Sequence, residues 1–292
     1  MSNYHKSVLL QETIDGLAIK SGQKYIDATL GAGGHTREII KRGGVVLGID
    51  QDNEALEFVR ENFKSEILQS KLKLSYGNFS NISKIATENG FERVSGIIFD
   101  IGVSSHQLDS PERGFSFLSD SPLDMRMDKS LQVTAADLVN GLTKSELAEL
   151  FLKYGEEKFA NRIAQNIVLR REKGPIITTL DLANVIYRSY PVKGKIHPAT
   201  RVFQALRIAV NDELNSLSDA LLKALDLLES GGRIAVISFH SLEDRIVKNM
   251  FKNFQEENRG RIITEKPIVP LENEQIENKR SRSAKLRIFE KI

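Results

Sequence analysis

The chain has 292 residues, a formal net charge of +2, 40% hydrophobic and 27% charged residues, and no cysteine. This length fits one large domain or one domain with a sizeable insertion. The absence of cysteine excludes disulfide bonds, thiolate metal sites, iron–sulfur clusters and a cysteine nucleophile. No apolar run approaches the roughly 18–20 residues of a membrane span, and the N-terminus lacks a signal-peptide pattern. We therefore predict a cytoplasmic protein.

The first third of the chain alternates between apolar strands and helical stretches, the pattern of a doubly wound parallel sheet. The predicted strands are residues 24–30, 45–50, 72–79 and 95–102. A polar, turn-rich stretch and several helical patterns follow, which predict a mainly helical insertion at 106–198. The sheet domain is thus expected to comprise 1–105 and 199–292. Its last part contains a buried strand at 233–241 and two late strands, in 259–270 and 283–292, expected to form an antiparallel edge pair.

A glycine-rich turn, in the run YIDATLGAGGH at residues 25–35, directly follows the first predicted strand, and Asp50 ends the second. Glycine allows a tight turn and close approach of a ligand, and a carboxylate at a strand tip can accept both ribose hydroxyls. The pattern predicts a nucleotide-type cofactor. The third glycine of a dinucleotide fingerprint is missing, which favours S-adenosylmethionine over a nicotinamide dinucleotide. A turn without any ligand is the remaining alternative.

Candidate functional residues follow the ends of the third and fourth strands, where an open α/β sheet binds its ligands. Phe79 is interpreted either as a ring that stacks on adenine or as a core aromatic. Asp100 and Ser104, in the segment DIGVSS, carry acceptor oxygens. Hydrogen bonds from an exocyclic base amine to such oxygens would free its lone pair for methylation. This chemistry requires no covalent enzyme intermediate, in agreement with the lack of cysteine.

The segment SFHSLEDR, residues 238–245, follows the fifth predicted strand. His240 is interpreted as a base or a substrate contact. Ser241 with Asp244 predicts a capping box for the next helix. No set of His, Asp and Glu residues has a convincing metal-ligand spacing, so no metal site is predicted.

Basic side chains are concentrated in two segments of a nearly neutral chain. Residues 158–210 contain ten Lys or Arg against two acids, and residues 278–292 contain six against one. This distribution is typical of a phosphate-binding face, although solvated helix surfaces would produce it as well.

Six motifs together closely resemble one family. They are GAGGH (31–35), DIGVSS (100–105), ERGFSFLSDSPLDMRMD (112–128), YGEEKFANRIA (154–164), HPATRVFQALRIAVNDEL (197–214) and SFHSLEDRIVK (238–248). Over essentially its whole length the chain resembles the bacterial small-subunit ribosomal RNA cytosine-N4 methyltransferases of the MraW or RsmH type. The resemblance implies an α/β, Rossmann-like class I S-adenosylmethionine-dependent methyltransferase with a seven-stranded sheet and an inserted helical domain. The implied reaction is methylation of N4 of one cytosine in the decoding region of 16S ribosomal RNA.

The resemblance also implies a set of cofactor-binding residues, namely Gly33, Gly34, His35, Asp50, Phe79, Asp100 and Gln107. We assign Asp100 and Ser104 as catalytic on chemical grounds alone, with direct in-line transfer. The insertion is then expected to face the RNA, and a paired target cytosine to be extruded into the pocket. The predicted substrate-binding residues are Lys193, Lys195, His197, Arg201, Arg207 and His240.

The expected partner is 16S ribosomal RNA, within the small subunit, and the sequence leaves open whether the protein is a monomer or a homodimer. Other functions stay open on the residues alone. They are a nicotinamide-dependent oxidoreductase, a non-catalytic ribosome-assembly or RNA-binding protein, and a methyltransferase acting on DNA or on another base amine.

Overall fold

The computed structural model describes residues 7–191, 194 and 197–292. The chain divides into two compact units, one formed by Met1–Gly102 with Leu214–Ile292 and the other by Val103–Glu213. We call them the sheet unit and the helical unit. None of the helices in the described ranges is long and apolar enough to cross a membrane.

The strands of the sheet unit are β1 (Lys24–Asp27), β2 (Val45–Asp50), β3 (Leu72–Tyr76), β4 (Val94–Asp100), β5 (Leu228–Ser238), β6 (Gly260–Ile262) and β7 (Lys285–Lys291). They form one sheet in the order β3–β2–β1–β4–β5–β7–β6. Strands β1 to β5 pair in parallel, whereas β7 is antiparallel to both β5 and β6. The predicted parallel sheet with a late antiparallel pair is confirmed, and the sheet has the seven strands that the resemblance implies.

The helices of the described residues are α1 (Leu10–Leu17), α2 (Gly34–Lys41), α3 (Asn53–Asn62), α4 (Lys64–Leu68), α5 (Ile82–Asn89), α6 (Ser105–Asp109), α7 (Ala135–Gly141), α8 (Lys144–Gly155), α9 (Ala160–Arg171), α10 (Thr179–Ser189), α11 (Ala199–Asn211), α12 (Glu213–Leu227), α13 (Ser241–Glu256) and α14 (Glu272–Glu277).

Helices cover both faces of the sheet, which explains why its central strands are almost continuously apolar. Leu47 and Ile97 pack on one face with residues of α5, α12 and α13. Val46 and Ile98 point to the opposite face and pack with residues of α1, α2 and α3. Complete burial of each such side chain contributes roughly 1.5–3 kcal/mol. The carboxyl ends of the parallel strands lie at one edge of this sandwich, where polar side chains are found.

The helical unit has its own core, to which α11 belongs. Val202, Phe203 and Leu206 of α11 are buried together with Leu147 and Phe151 of α8. The sequence-based boundary at residue 198 therefore differs by one helix from the structural boundary at Glu213. The pattern of α11 alone could not show this difference, because an apolar stripe is the same whether it packs on a sheet or on other helices.

Candidate functional site

The glycine-rich turn after β1 is packed too closely for side chains at its centre. Gly33 precedes α2 with φ at +75°, and a Cβ there would lie 2.8 Å from Cζ of the buried Phe63. A Cβ on Gly34 would clash with Oγ of Ser7. The turn therefore presents bare backbone at the carboxyl edge of the sheet, as close approach of a ligand requires.

Asp50 ties this turn to the tip of β2. Its Oδ2 accepts a hydrogen bond from the Gly31 amide at 2.8 Å, and its Oδ1 accepts one from the Asp52 amide at 2.9 Å. Burial raises the pKa of Asp50 to about 6, and these two hydrogen bonds act in the opposite direction. Each carboxylate oxygen has more than one lone pair, so both can also accept a ligand hydroxyl.

Asp100 lies at the end of β4, close to the glycine-rich turn. Its Oδ2 is 3.8 Å from Nδ1 of His35, and its amide donates to Oγ1 of Thr29 at 2.6 Å. Burial raises the pKa of Asp100 to about 8, assisted by the negative charges of Asp27 and Glu243. Near neutral pH the carboxyl is therefore largely protonated, and a cationic ligand beside it would favour ionisation.

Asp27 is a member of this group that the sequence analysis missed. It is 1% exposed in β1, and its Oδ2 accepts a hydrogen bond from the Thr36 hydroxyl at 2.7 Å. Burial raises its pKa to about 6. An acid inside the apolar run YID, just before a glycine-rich turn, was the available signal. With Asp50 and Asp100 it places three carboxyl groups at the ends of β1, β2 and β4, where they favour a positively charged ligand.

Phe79 follows β3 and begins a short turn of 3₁₀-helix, Phe79–Asn81. Its ring is half-buried and meets Phe99 edge-on, with 5.9 Å between centroids and 89° between planes. Asn78 holds this turn, because its side-chain oxygen accepts from the Ser80 amide at 2.8 Å. The packing of one edge in the core leaves part of the ring accessible for stacking.

Ser104 and Gln107, in the helical unit, form the capping box of α6. Oγ of Ser104 accepts from the Gln107 amide at 3.1 Å, and Oε1 of Gln107 accepts from the Ser104 amide at 3.0 Å. Both residues thus have a structural role beside the one expected of them. The hydroxyl of Ser104 has a second lone pair and a proton to offer.

The capping box predicted for Ser241 and Asp244 is wrong by one residue. His240 is the N-cap of α13: its Nδ1 accepts from the Glu243 amide at 3.4 Å, and Glu243 accepts from the His240 amide at 3.2 Å. Asp244 instead accepts hydrogen bonds from Arg287 at 2.7 Å and Lys285 at 3.0 Å. These bonds lower the pKa of Asp244 in spite of its burial. His240 therefore stabilises the start of a helix, whatever else it contacts.

The predicted substrate-binding residues of the helical unit have different environments. Arg207 forms a bidentate ion pair with Glu213, at 2.8 and 2.7 Å, and the two side chains are only 15% and 5% exposed. Arg201 is exposed, and its guanidinium donates to the Glu156 carbonyl at 3.1 Å. His197 is exposed and stacked on another ring. Lys193 and Lys195 lie outside the described residues.

A family model described as the MraW methylase family matches residues 2–292. The chain belongs to this family. Ribosomal RNA small subunit methyltransferase H of Carboxydothermus hydrogenoformans is 48% identical over 311 residues, covering 99% of this chain and 98% of its own. The protein of the same name from Geobacter sulfurreducens is 47% identical over 313 residues, covering 100% of both chains.

Membership of the MraW methylase family confirms the resemblance that the six motifs indicate, and it holds along the whole chain. A crystal structure of an rRNA methylase from Streptococcus thermophilus aligns with 98% of both chains at 13% identity. The TM-score of this alignment is 0.46. The assignment of this chain as a methyltransferase rests on the family match and on the relatives of 47–48% identity.

Proposed function

We propose that this enzyme transfers a methyl group from S-adenosylmethionine to the exocyclic N4 of one cytosine in the decoding region of 16S ribosomal RNA. The observation that carries the proposal is the site at the carboxyl edge of the sheet. There a bare-backbone turn, a strand-tip carboxylate tied to it, and two further carboxyl groups, the buried Asp27 and the partly exposed Asp100, lie together. Relatives that match the chain from end to end, and are named as small-subunit ribosomal RNA methyltransferases, support the choice of substrate.

The residues present fit S-adenosylmethionine. Asp50 is held by two backbone amides with lone pairs left for the ribose hydroxyls. Phe79 offers a ring face to the adenine. Gly33 and Gly34 let the backbone approach the ligand, and His35 and Gln107 complete the proposed contacts. Asp100, with a pKa raised to about 8, is suited to a neighbouring positive charge.

When bound, the cofactor supplies an electrophilic methyl group on a positively charged sulfur. A base amine is a poor nucleophile, because its lone pair is delocalised into the ring. Asp100 Oδ2, once ionised, accepts an N–H of the amine, and Ser104 Oγ is our candidate for the second acceptor. Asp100 would take the proton that the amine loses on methylation, and the cofactor would supply the methyl group and leave in its demethylated form. Positioning of the two reactants provides the remaining rate acceleration.

The RNA-binding surface is proposed to lie on the helical unit. His197 and Arg201 are exposed there, and Lys193 and Lys195 are kept as proposed phosphate contacts. Arg207 is engaged with Glu213, so its role is more directly to hold α11. A substrate within the small ribosomal subunit implies a cytoplasmic location.

Methyl transfer to isolated small ribosomal subunits that lack the modification tests the proposal. With tritiated S-adenosylmethionine, we expect the wild-type enzyme to label the RNA. Asp100→Asn should lose at least a hundredfold in kcat, on the scale of losing a general base. Leu152→Ala, at an exposed position of α8, serves as the control with full activity. Cofactor binding without any transfer would indicate a non-catalytic RNA-binding protein. Binding of a nicotinamide dinucleotide would indicate an oxidoreductase.

A further inference from the structure

Four rings form a row from the core of the helical unit to its surface. Phe203 is 5% exposed and meets Phe117 edge-on, with 4.9 Å between the ring centroids. Phe117 is half-buried and stacks on His197 at 4.7 Å, with 24° between the planes. His197 in turn stacks on Tyr187 at 5.9 Å and 18°, and Tyr187 is 38% exposed. We call these four residues the aromatic row. Its inner end is anchored in the core, and its outer rings have surface open to solvent.

Local hydrogen bonds hold His197 and the loop that carries Phe117 before any ligand arrives. Nδ1 of His197 accepts from the Ala199 amide, in the first turn of α11, at 3.2 Å. The neutral ring therefore carries its proton on Nε2, which is left as a donor. The loop behind Phe117 is tied to the start of α10, because the Ser119 carbonyl accepts from the Thr179 hydroxyl at 2.8 Å. A ligand that stacks here orders little that is not already ordered.

The surroundings of the aromatic row combine apolar surface with positive charge. Leu118, next to Phe117, is 90% exposed, and Leu180 is 41% exposed. Leu180 precedes Tyr187 by two helical turns and so lies on the same face of α10. Arg188, beside Tyr187, is exposed and has no carboxylate partner among the residues that the structure describes. Flat rings bordered by a free guanidinium suit an unstacked nucleic-acid base attached to its phosphate.

We propose that the aromatic row is a stacking platform for one unpaired base of the RNA substrate, other than the target cytosine. The base stacks on Tyr187, the last ring of the row, because His197 is already stacked between Phe117 and Tyr187, and Arg188 contacts an adjoining phosphate. This inference rests on the proposed function and adds a second contact surface for the same substrate. Every base has a flat face, so the platform contributes affinity and register without reading sequence.

Binding of single-stranded RNA oligonucleotides that carry the target cytosine tests the platform. By fluorescence anisotropy, Tyr187→Ala should weaken binding roughly tenfold, the scale of one base–aromatic stack, while Tyr187→Phe stays within about twofold of wild type. Leu152→Ala, an exposed substitution on α8, should change nothing. A scan of abasic nucleotides should find one position whose loss weakens wild-type binding by a similar factor. At that position Tyr187→Ala should cause no further loss.

The same variants in the methyl-transfer assay separate this inference from the proposed function. An active wild type, with KM raised roughly tenfold by Tyr187→Ala at unchanged kcat, supports both. Unchanged KM and unchanged oligonucleotide affinity would overturn the platform and leave the function intact. A raised KM for subunits with unchanged oligonucleotide affinity would also overturn it, because the rings would then contact a ribosomal protein. If the wild type transfers no methyl group, the proposed function fails, and the abasic scan still decides whether the rings bind a base.

Discussion

Gly33 is constrained both by its backbone conformation and by the packing around it, and a comparison with Gly22 separates the two effects. The φ of Gly33 is +75°, and a Cβ would lie 2.8 Å from Cζ of the buried Phe63. Gly22 has almost the same φ, +78°, but no atom lies within 4 Å of its Cβ position. Both glycines are in the sheet unit, so Gly22→Ala is a matched control for the backbone conformation alone. Gly33→Ala adds a steric clash with a ring that cannot move into solvent.

The expected magnitudes follow from these two observations. A left-handed alanine costs about 1–2 kcal/mol, and an extra methyl group in a packed core costs about 1–3 kcal/mol. We therefore expect Gly22→Ala to lower the free energy of unfolding by about 1 kcal/mol and Gly33→Ala by about 3 kcal/mol. Urea denaturation followed by circular dichroism measures both, since the chain has no tryptophan.

Cofactor affinity provides an independent measurement of the same variants. In calorimetric titration with S-adenosylmethionine, Gly33→Ala should bind at least tenfold more weakly, whereas Gly22→Ala should bind as the wild type does. Equal destabilisation by the two substitutions, or undiminished cofactor affinity of Gly33→Ala, would refute the packing that we describe for the glycine-rich turn.

Three other predictions concern charged groups. Glu213→Ala should lower the free energy of unfolding by roughly 3 kcal/mol, because it removes the carboxylate that pairs with the mostly buried Arg207 guanidinium. The double variant Glu213→Ala with Arg207→Met should regain most of the lost stability. The raised pKa values of Asp27 and Asp50, about 6, and of Asp100, about 8, favour folding while these groups are protonated. Urea midpoints of the ligand-free protein should therefore fall as pH rises from 5 to 8. In Asp100→Asn the fall should be smaller at the high-pH end of this range, where Asp100 ionises. S-adenosylmethionine is cationic, whereas its demethylated product is neutral. The ratio of the binding affinity for S-adenosylmethionine to that for the product should therefore increase over the same pH range. A preference that is independent of pH, or identical in Asp100→Asn, would count against the proximity of Asp100 to the sulfonium.

The main elements of the fold could be predicted because their signals are local. Continuous apolar runs mark strands covered on both faces, and the turn at residues 31–35 requires glycines whatever surrounds it. Asp50 was predictable at the site because a strand places its last side chain at the sheet edge. Asp27 was missed because its one signal, an acid within the run YID, does not show that the side chain is buried near Asp50 and Asp100.

Other features depend on neighbours that the sequence does not bring together. Helix α11 ends at Asp212, whose φ is +47°, and the turn there brings Glu213 into contact with Arg207. The two residues are six positions apart, a spacing at which side chains of one helix do not meet. Histidine is not among the usual N-cap residues, so the capping box of α13 was placed one residue late. The aromatic row joins rings from three segments of the chain, and only folding shows that they stack.

The central claim is methylation of cytosine N4 in small-subunit ribosomal RNA, and nucleoside analysis of the product tests it most directly. Subunits that lack the modification are incubated with the enzyme and isotopically labelled S-adenosylmethionine, and the digested RNA is analysed by mass spectrometry. We predict label in N4-methylcytidine at a single position of the decoding region. Label in 5-methylcytidine, in another nucleoside or in ribosomal protein would contradict the account.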